Sequence, residues 1–333
     1  MAHPTLLPRR QVLKTGAAGL LAASPFARAL AQDGYPNKPV KLIVPVPPGG
    51  AADAMARLVA DHLSQKWGQP VLVDNRAGAG STIGLGVLSK SPPDGYTLGM
   101  GNIAANAINP ALQPALSPYH PVNDFAAVSL IGVTPLVLVV HAEKVPAKTV
   151  REFVDYLKAN PGKLAYGSSG VGSSLHIGME LFLQKTGTKM VHVPYKGSAP
   201  MVQDLLAGQV VAAMDAATTS WPHVQSGKLR GLGVASPERA FFAPELPLLS
   251  EVVSGFNVKP WHGLMAPAGT PPAIVNRISS DIQAFLRTPE ATKALQDKGI
   301  VRVGNTAQEF QALMASEFET YKKVIAEAGI KPE

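Results

Sequence analysis

The sequence predicts an α/β protein of two lobes, with a ligand cleft between them and two chain crossings that act as a hinge. Three observations predict it. Short apolar runs alternate with helical stretches, the signature of βαβ units and a parallel sheet. The rhythm lapses after the first third of the chain and restarts beyond residue 140. Four glycine- or hydroxyl-rich turns each follow an apolar run and precede a helical one, where such sheets place ligands. Residues 32–133 together with 258–333 are assigned to lobe 1, and residues 134–257 to lobe 2.

The elements follow in order. Residues 40–46 read as a buried strand that ends in Pro47-Pro48-Gly49-Gly50. Residues 51–67 follow as a helix, with Met55, Leu58, Val59, Leu63 and Trp67 on one face. Residues 71–73 and 97–100 read as strands, with a helix over 81–90 between them. In the second lobe Thr149 caps a helix that runs through Asn160. Strands over 164–166, 191–193, 210–214 and 229–234 alternate there with helices, one opened by Ser173 or Ser174 and one starting at Ala199. The C-terminal part reads as helical, over 271–287 behind a proline and over 307–328 with Phe310, Met314, Phe318 and Tyr321 at helical spacing. Both helices are placed on lobe 1. The crossings are placed at 134–141 and 258–266, and a double crossover between two lobes makes a hinge.

The first 31 residues stand apart. They contain no acidic side chain, carry Arg9-Arg10 and Lys14, then a short apolar run, then Ala29-Leu30-Ala31. That is a charged start, an apolar stretch too short for a bilayer and a small-residue cleavage site, the layout of an export signal cut after Ala31. The paired arginines resemble a twin-arginine signal; an ordinary secretory signal carrying Arg-Arg is the alternative. Without this segment 26 basic residues face 23 acidic ones, a net charge of +3. The basicity is largely the signal's, and no basic cluster with interleaved aromatics remains to support nucleic-acid binding. Cysteine is absent, which excludes disulfides, thiolate metal sites and cysteine nucleophiles. The eight histidines are scattered without metal-ligand spacing. No cofactor and no metal is expected.

The four turns hold the candidate site. In Pro47-Pro48-Gly49-Gly50-Ala51-Ala52-Asp53, glycines free backbone N–H groups at a helix start, while Asp53 reads as a cap or a helix-dipole partner rather than a ligand contact. In Asn75-Arg76-Ala77-Gly78-Ala79-Gly80 the glycine spacing departs from a dinucleotide fingerprint, and Arg76 reads either as a contact for a ligand carboxylate or as a solvated or inter-loop ion-pair partner. The third turn, Gly167-Ser168-Ser169-Gly170-Val171-Gly172-Ser173-Ser174-Leu175-His176, concentrates hydroxyls and N–H groups at one helix start. This suits a carboxylate without any lysine or arginine. His176 reads equally as a packed residue or a cleft residue. In the fourth turn Tyr195 can stack on a ligand, and Lys196 reads as a solvated charge. Asp215, at the end of a strand, reads either as an acceptor for a ligand amino or hydroxyl group or as a helix cap. A Ser-His-Asp site from Ser168, His176 and Asp215 lacks a nucleophile elbow.

These residues, in this order, resemble a known family. Tyr35-Pro36, Pro48-Gly49-Gly50-Ala51-Ala52-Asp53, Asn75-Arg76-Ala77-Gly78-Ala79-Gly80, Pro93-Asp94-Gly95-Tyr96, Ser169-Gly170-Val171-Gly172-Ser173, His192-Val193-Pro194-Tyr195-Lys196-Gly197 and Ala266-Pro267-Ala268-Gly269-Thr270-Pro271 are similar to the Bug receptors. Those are the extracytoplasmic solute-binding proteins of tripartite tricarboxylate transporters. The resemblance spans the mature chain. It implies a type II periplasmic-binding-protein fold with a Venus-flytrap cleft and a periplasmic location. The implied ligand contacts are Gly49, Gly50, Gly78, Gly80, Ser168, Ser169, Gly172, Ser173, Ser174, Tyr195 and Asp215, with Asn102 and Ala104 also facing the cleft. The expected ligand is a small carboxylated metabolite: a di- or tricarboxylate, an amino acid or an aromatic acid. The expected partners are membrane transporter subunits or a sensor ectodomain, with the receptor itself a monomer. An exported hydrolase or oxidoreductase is the competing class.

Overall fold

The computed structural model describes residues 34–256 and 258–331, so the export signal and its cleavage site lie outside the described residues. Contacts divide the chain into residues 1–37 and 38–333, and the second unit carries two sheets. Its strands are β1 (Val40–Val44), β2 (Val71–Asn75), β3 (Thr97–Asn102), β4 (Phe125–Val133), β5 (Leu136–His141), β6 (Ala165–Ser168), β7 (Val191–Pro194), β8 (Ala212–Ala216), β9 (Leu229–Ala235), β10 (Trp261–Pro267) and β11 (Val301–Arg302). The first sheet has the order β11-β4-β10-β3-β1-β2 and the second β7-β6-β8-β5-β9.

The helices are α1 (Ala51–Trp67), α2 (Thr82–Ser89), α3 (Asn109–Leu112), α4 (Val150–Ala159), α5 (Ser174–Thr186), α6 (Ser198–Ala207), α7 (Ala217–Gln225), α8 (Leu249–Val252), α9 (Pro272–Leu286), α10 (Pro289–Gln296) and α11 (Ala307–Ala328). Local chemistry sets their ends. Thr149, Ser173 and Thr306 cap α4, α5 and α11 by accepting a backbone N–H with a side-chain oxygen. Left-handed glycines Gly68, Gly187 and Gly208 stop α1, α5 and α6. Helices α9 and α11 both pack on β4, and the Trp67 indole and Lys66 ammonium of α1 meet Asp281 of α9 at 2.7 and 2.8 Å.

Three expectations need correction. The sheets are mixed, not parallel: β1 runs parallel to β2 and β3, and β6 to β7 and β8, but β10 is antiparallel to β3 and β4, and β5 to β8 and β9. The stretches 134–141 and 258–266 are also not mainly crossings, because most of each is a strand, β5 or β10. Their side chains are buried on both faces, so they show none of the alternation that marks a half-exposed strand. The passages between sheets are correspondingly short. One is Thr134–Pro135, and its Thr134 N–H donates to Pro260 O of the returning passage at 2.9 Å. The C-terminal part likewise contains β10, β11 and α10 besides its two long helices.

Each sheet has its own apolar core. In the first, Trp261 and Phe310 meet edge to face at 5.2 Å, and Gly263 makes this possible. A Cβ there would lie 2.2 Å from Phe310 Cζ, so only glycine lets α11 sit on β10. Helix α5 joins the two cores near the crossings: its Ile177 packs into the apolar cluster of the first sheet, while Phe182 and Met179 pack into the second.

Candidate functional site

A cavity of about 600 Å³ lies between the two sheets' loop ends. The first-sheet side supplies the β1–α1 turn, Gly80 and Ser81, Asn102 to Ala104 and Asn109; the second supplies Ser169, residues 171–175 and 196–200 and the start of α7. Thr134, Pro260 and His262 close its hinge end. Apart from Lys196, no residue of this wall carries a formal charge at neutral pH.

The turn before α5 is built to spend some donors inward and leave others free. Ser168 is fully buried; its hydroxyl accepts the Gly170 N–H and meets His192 Nε2 at 2.7 Å. The Gly172 N–H donates to His176 Nδ1, and the His176 N–H donates to Ser173 Oγ, both at 3.2 Å. His176 stacks on His192 at 4.0 Å. Burial, with His192 beside it, lowers the His176 pKa to about 4, which keeps it a neutral acceptor for Gly172. What remains for a ligand are the Ser169 and Ser174 hydroxyls, which have no protein partner among the described residues. The Ser174 and Leu175 N–H groups also remain, since the first turn of a helix has no internal acceptor for them. This is an uncharged donor set at the positive end of a helix, suited to a carboxylate.

Opposite, the β1–α1 turn is held from within. Asp53 is 3% exposed and accepts the Gly49 N–H, Arg57 Nε and Asn75 Nδ2, each at 2.9 Å. Burial alone would raise its pKa; these hydrogen bonds and the Arg57 charge outweigh that and hold it below the ordinary value. Asp53 is therefore the cap of its turn, which presents Gly50 and Ala51 to the cavity. Arg76 pairs with Asp74 at 3.0 Å at the surface.

Of the residues singled out in the sequence, the structure brings Gly50, Gly80, Asn102, Ala104, Ser169, Gly172, Ser173 and Ser174 to the one cavity. Gly49 lines a neighbouring groove of about 470 Å³ instead, and its N–H is taken by Asp53. Gly78 is absent from the wall, as are Ser168, Tyr195 and Asp215. The physical reasons differ. Ser168 is consumed by the His192 and Gly170 bonds, and the Tyr195 hydroxyl donates to Asp204 at 2.8 Å. The Asp215 carboxylate is fully buried, with its oxygens taken by the Ser198 and Thr219 hydroxyls.

The cavity also contains polar residues that carried no sequence signal: Ser81, Asn109, Thr134, Ser198, Thr219 and His262. Burial pushes the His262 pKa down to about 4, so its ring is neutral. Ser198 and Asn109 are the first residues of α6 and α3. Thr134 and His262 sit at the crossings, where no motif marks them. Among the described residues no group of three His, Asp or Glu side chains is placed to hold a metal ion, and no helix is long and apolar enough to cross a membrane.

Two lobes, each a mixed sheet covered by helices, with a cleft at paired crossings, define a periplasmic-binding-protein fold of type II. An alkanesulfonate-binding protein from Xanthomonas axonopodis shares it at a TM-score of 0.54 and 15% identity, a likeness of fold alone. The chain belongs to the tripartite tricarboxylate transporter receptor family, whose model matches residues 55–330. Protein BugT of Bordetella pertussis is 36% identical, over 93% of this chain and 95% of its own. The structure of Rpa4515 from R. palustris with adipate superposes at a TM-score of 0.80 with 35% identity, covering 90% of this chain and 100% of that one. MatC from Rhodopseudomonas palustris with bound malate gives 0.75 and 28%, covering 87% and 100%. The family is one of solute-binding receptors, and the Bug resemblance seen in the sequence is borne out.

Proposed function

We propose that this protein captures a small carboxylate in the cleft and presents it, chemically unchanged, to the membrane subunits of a tripartite tricarboxylate transporter. The observation that carries the reading is the uncharged donor set at the start of α5 facing a cavity of about 600 Å³. The adipate and malate complexes of its relatives support a carboxylate as the ligand. The best candidates to hold that carboxylate are Ser169, Ser174 and the Ser174 and Leu175 N–H groups, with the Gly50 turn, Gly80 and Asn102 closing on the other end. Hydrogen bonds to a charged partner contribute roughly 1.5–3 kcal/mol each, so each one lost should weaken binding by about one to two decades. In this reading the chain acts outside the cytoplasmic membrane as a monomer, after export and cleavage at Ala31.

The test is calorimetric titration of the purified mature protein with adipate and malate, alongside mass spectrometry of any ligand released on denaturation. Saturable binding of a carboxylate recovered unchanged is the expected result. No binding of either acid, with no carboxylate released, overturns the proposal, as does conversion of the acid.

A further inference from the structure

Ser198 and Thr219 line the cavity, and beneath them lies a carboxylate with no exposure to solvent, Asp215. The Ser198 hydroxyl donates to Asp215 Oδ1, and the Thr219 hydroxyl donates to Oδ2 at 2.6 Å, with Ala216 O as its second acceptor at 2.9 Å. An ionised carboxylate only accepts hydrogen bonds, and a hydroxyl has one proton. Both hydroxyl protons are therefore turned inward, and only oxygen lone pairs are left to face the cavity. We propose that Ser198 and Thr219, oriented by Asp215, form an acceptor pole that recognises a hydrogen-bond donor on the ligand, an ammonium or hydroxyl group, at a place separate from the carboxylate. The ligand class this selects is an amino or hydroxy acid rather than a plain alkanoate.

The inference rests on the reading of the cleft as a carboxylate site and adds the chemistry of the ligand's other end. Electrostatics points the same way. The starts of α6 and α7 flank the pole, and each helix start carries roughly half a positive charge. The unit negative charge of Asp215 cancels the pair, which leaves nothing at this spot to welcome a second carboxylate. Burial raises the Asp215 pKa to about 6, against the lowering effect of its hydrogen bonds, so the group is still largely ionised at neutral pH. The opposing influence is Lys196, which lines the same wall on an exposed side chain. If Lys196 governed this end, a second carboxylate would be preferred over a donor.

Calorimetric titration at neutral pH with two matched series decides between these. One series is butyrate, 4-hydroxybutyrate, 4-aminobutyrate and succinate; the other is hexanoate, 6-hydroxyhexanoate, 6-aminohexanoate and adipate. In at least one series the hydroxyl- or ammonium-tipped acid should bind tenfold or more tighter than both the plain acid and the diacid. In D215N the amide N–H donates to one hydroxyl, whose own proton is then free to face the cavity, while the other hydroxyl still donates to the amide oxygen, so this preference should fall at least tenfold. T219V removes one acceptor together with one of the two hydroxyls that hold the Asp215 carboxylate, and should reduce the preference severalfold. The readout is a ratio of affinities within one variant, which a general loss of folded protein leaves unchanged. Diacids or plain acids binding best in both series, or a ratio unmoved in both variants, overturns the acceptor pole while leaving the carboxylate site intact. Absence of binding by all eight acids removes the carboxylate site itself, and the acceptor pole with it.

Discussion

Replacing Gly172 by alanine isolates the contact between the lobes. Gly172 has φ +71°, and a Cβ there would lie 2.4 Å from Asn109 Oδ1 and 3.4 Å from Leu112 Cδ2, both on the first-lobe side. Two costs follow. An L-residue in the left-handed region loses about 1–2 kcal/mol, whatever the lobes do. The clash arises only when the lobes meet as they do in this structure. Asn109 would have to rotate away and give up its 2.9 Å hydrogen bond to Gly80 O, worth about 0.5–1.5 kcal/mol. The first cost falls on stability and the second on ligand affinity, where about 1 kcal/mol is roughly fivefold. Gly162→Ala is the control, since Gly162 has φ +68° but nothing within 4 Å of its virtual Cβ. Urea unfolding and calorimetric titration with adipate separate the two costs. Gly162→Ala should lose stability and keep its affinity, and Gly172→Ala should lose both. Adding Asn109→Ala to Gly172→Ala should bring affinity back to that of Asn109→Ala alone. If Gly172→Ala bound adipate like the parent, or the second change restored nothing, closure would not run through this contact.

The remaining expectations concern the donor turn, acid stability and a helix cap. Ser174→Ala should weaken adipate binding by about one to two decades at roughly 1.5–3 kcal/mol per charged hydrogen bond, whereas Tyr195→Phe should leave it unchanged; the reverse pattern in the same titrations would relocate the site. His176 is lowered from 6.5 to about 4 on folding, so its contribution is full above the unfolded value and lost as pH falls through that window. Relative to the parent, His176→Gln should therefore gain up to about 3 kcal/mol between pH 6.5 and pH 4, at ~1.36 kcal/mol per unit. Asp215 is raised from 3.8 to about 6, so its buried charge costs stability as pH rises through that range. Asp215→Asn should thus gain on the parent as pH rises from 4 to 6, and equal urea midpoints across that range would contradict the burial argument. Thr306 and Glu309 form a reciprocal cap on α11; Thr306→Ala should cost about 1 kcal/mol, read as a lower midpoint with an unchanged slope in urea.

Much of the helical layer and the class of site was legible because their signals are local. Helix α1 and helix α11 have the limits that periodicity and terminal residues predict, and Thr149 and Ser173 are the caps their spacing indicates. The strands β4, β5 and β10 were not legible as strands, since a run such as Leu136–His141, buried throughout, has no period to read. The donor-rich turn at 167–176 was visible as chemistry, but not the division of labour within it. Whether Ser168 or Ser169 faces the cavity depends on His192, 24 residues away from Ser168, and no local pattern reports such a partner. Tyr195 and Asp215 illustrate the same limit. Their residue types suit a ligand, but Asp204 in one case and Ser198 with Thr219 in the other occupy the polar groups first.

The position of β10 bears on how the chain comes to be folded at all. It lies between β3 and β4 and bonds to both, yet it is made more than a hundred residues after β4. Until residues 261–267 exist, β4 has no neighbour in the sheet to which it belongs, and its unpaired edge is open to any other strand. The second sheet suffers no such delay: β5 to β9 are consecutive, and the passages just before β5 and just before β10 are joined by the Thr134–Pro260 hydrogen bond. The second sheet can therefore condense locally while the first waits for a distant strand, and long-range pairings of that kind are slow to form. A chain emerging from N- to C-terminus would finish its middle before its beginning, with the β3 and β4 edges needing protection in the interval.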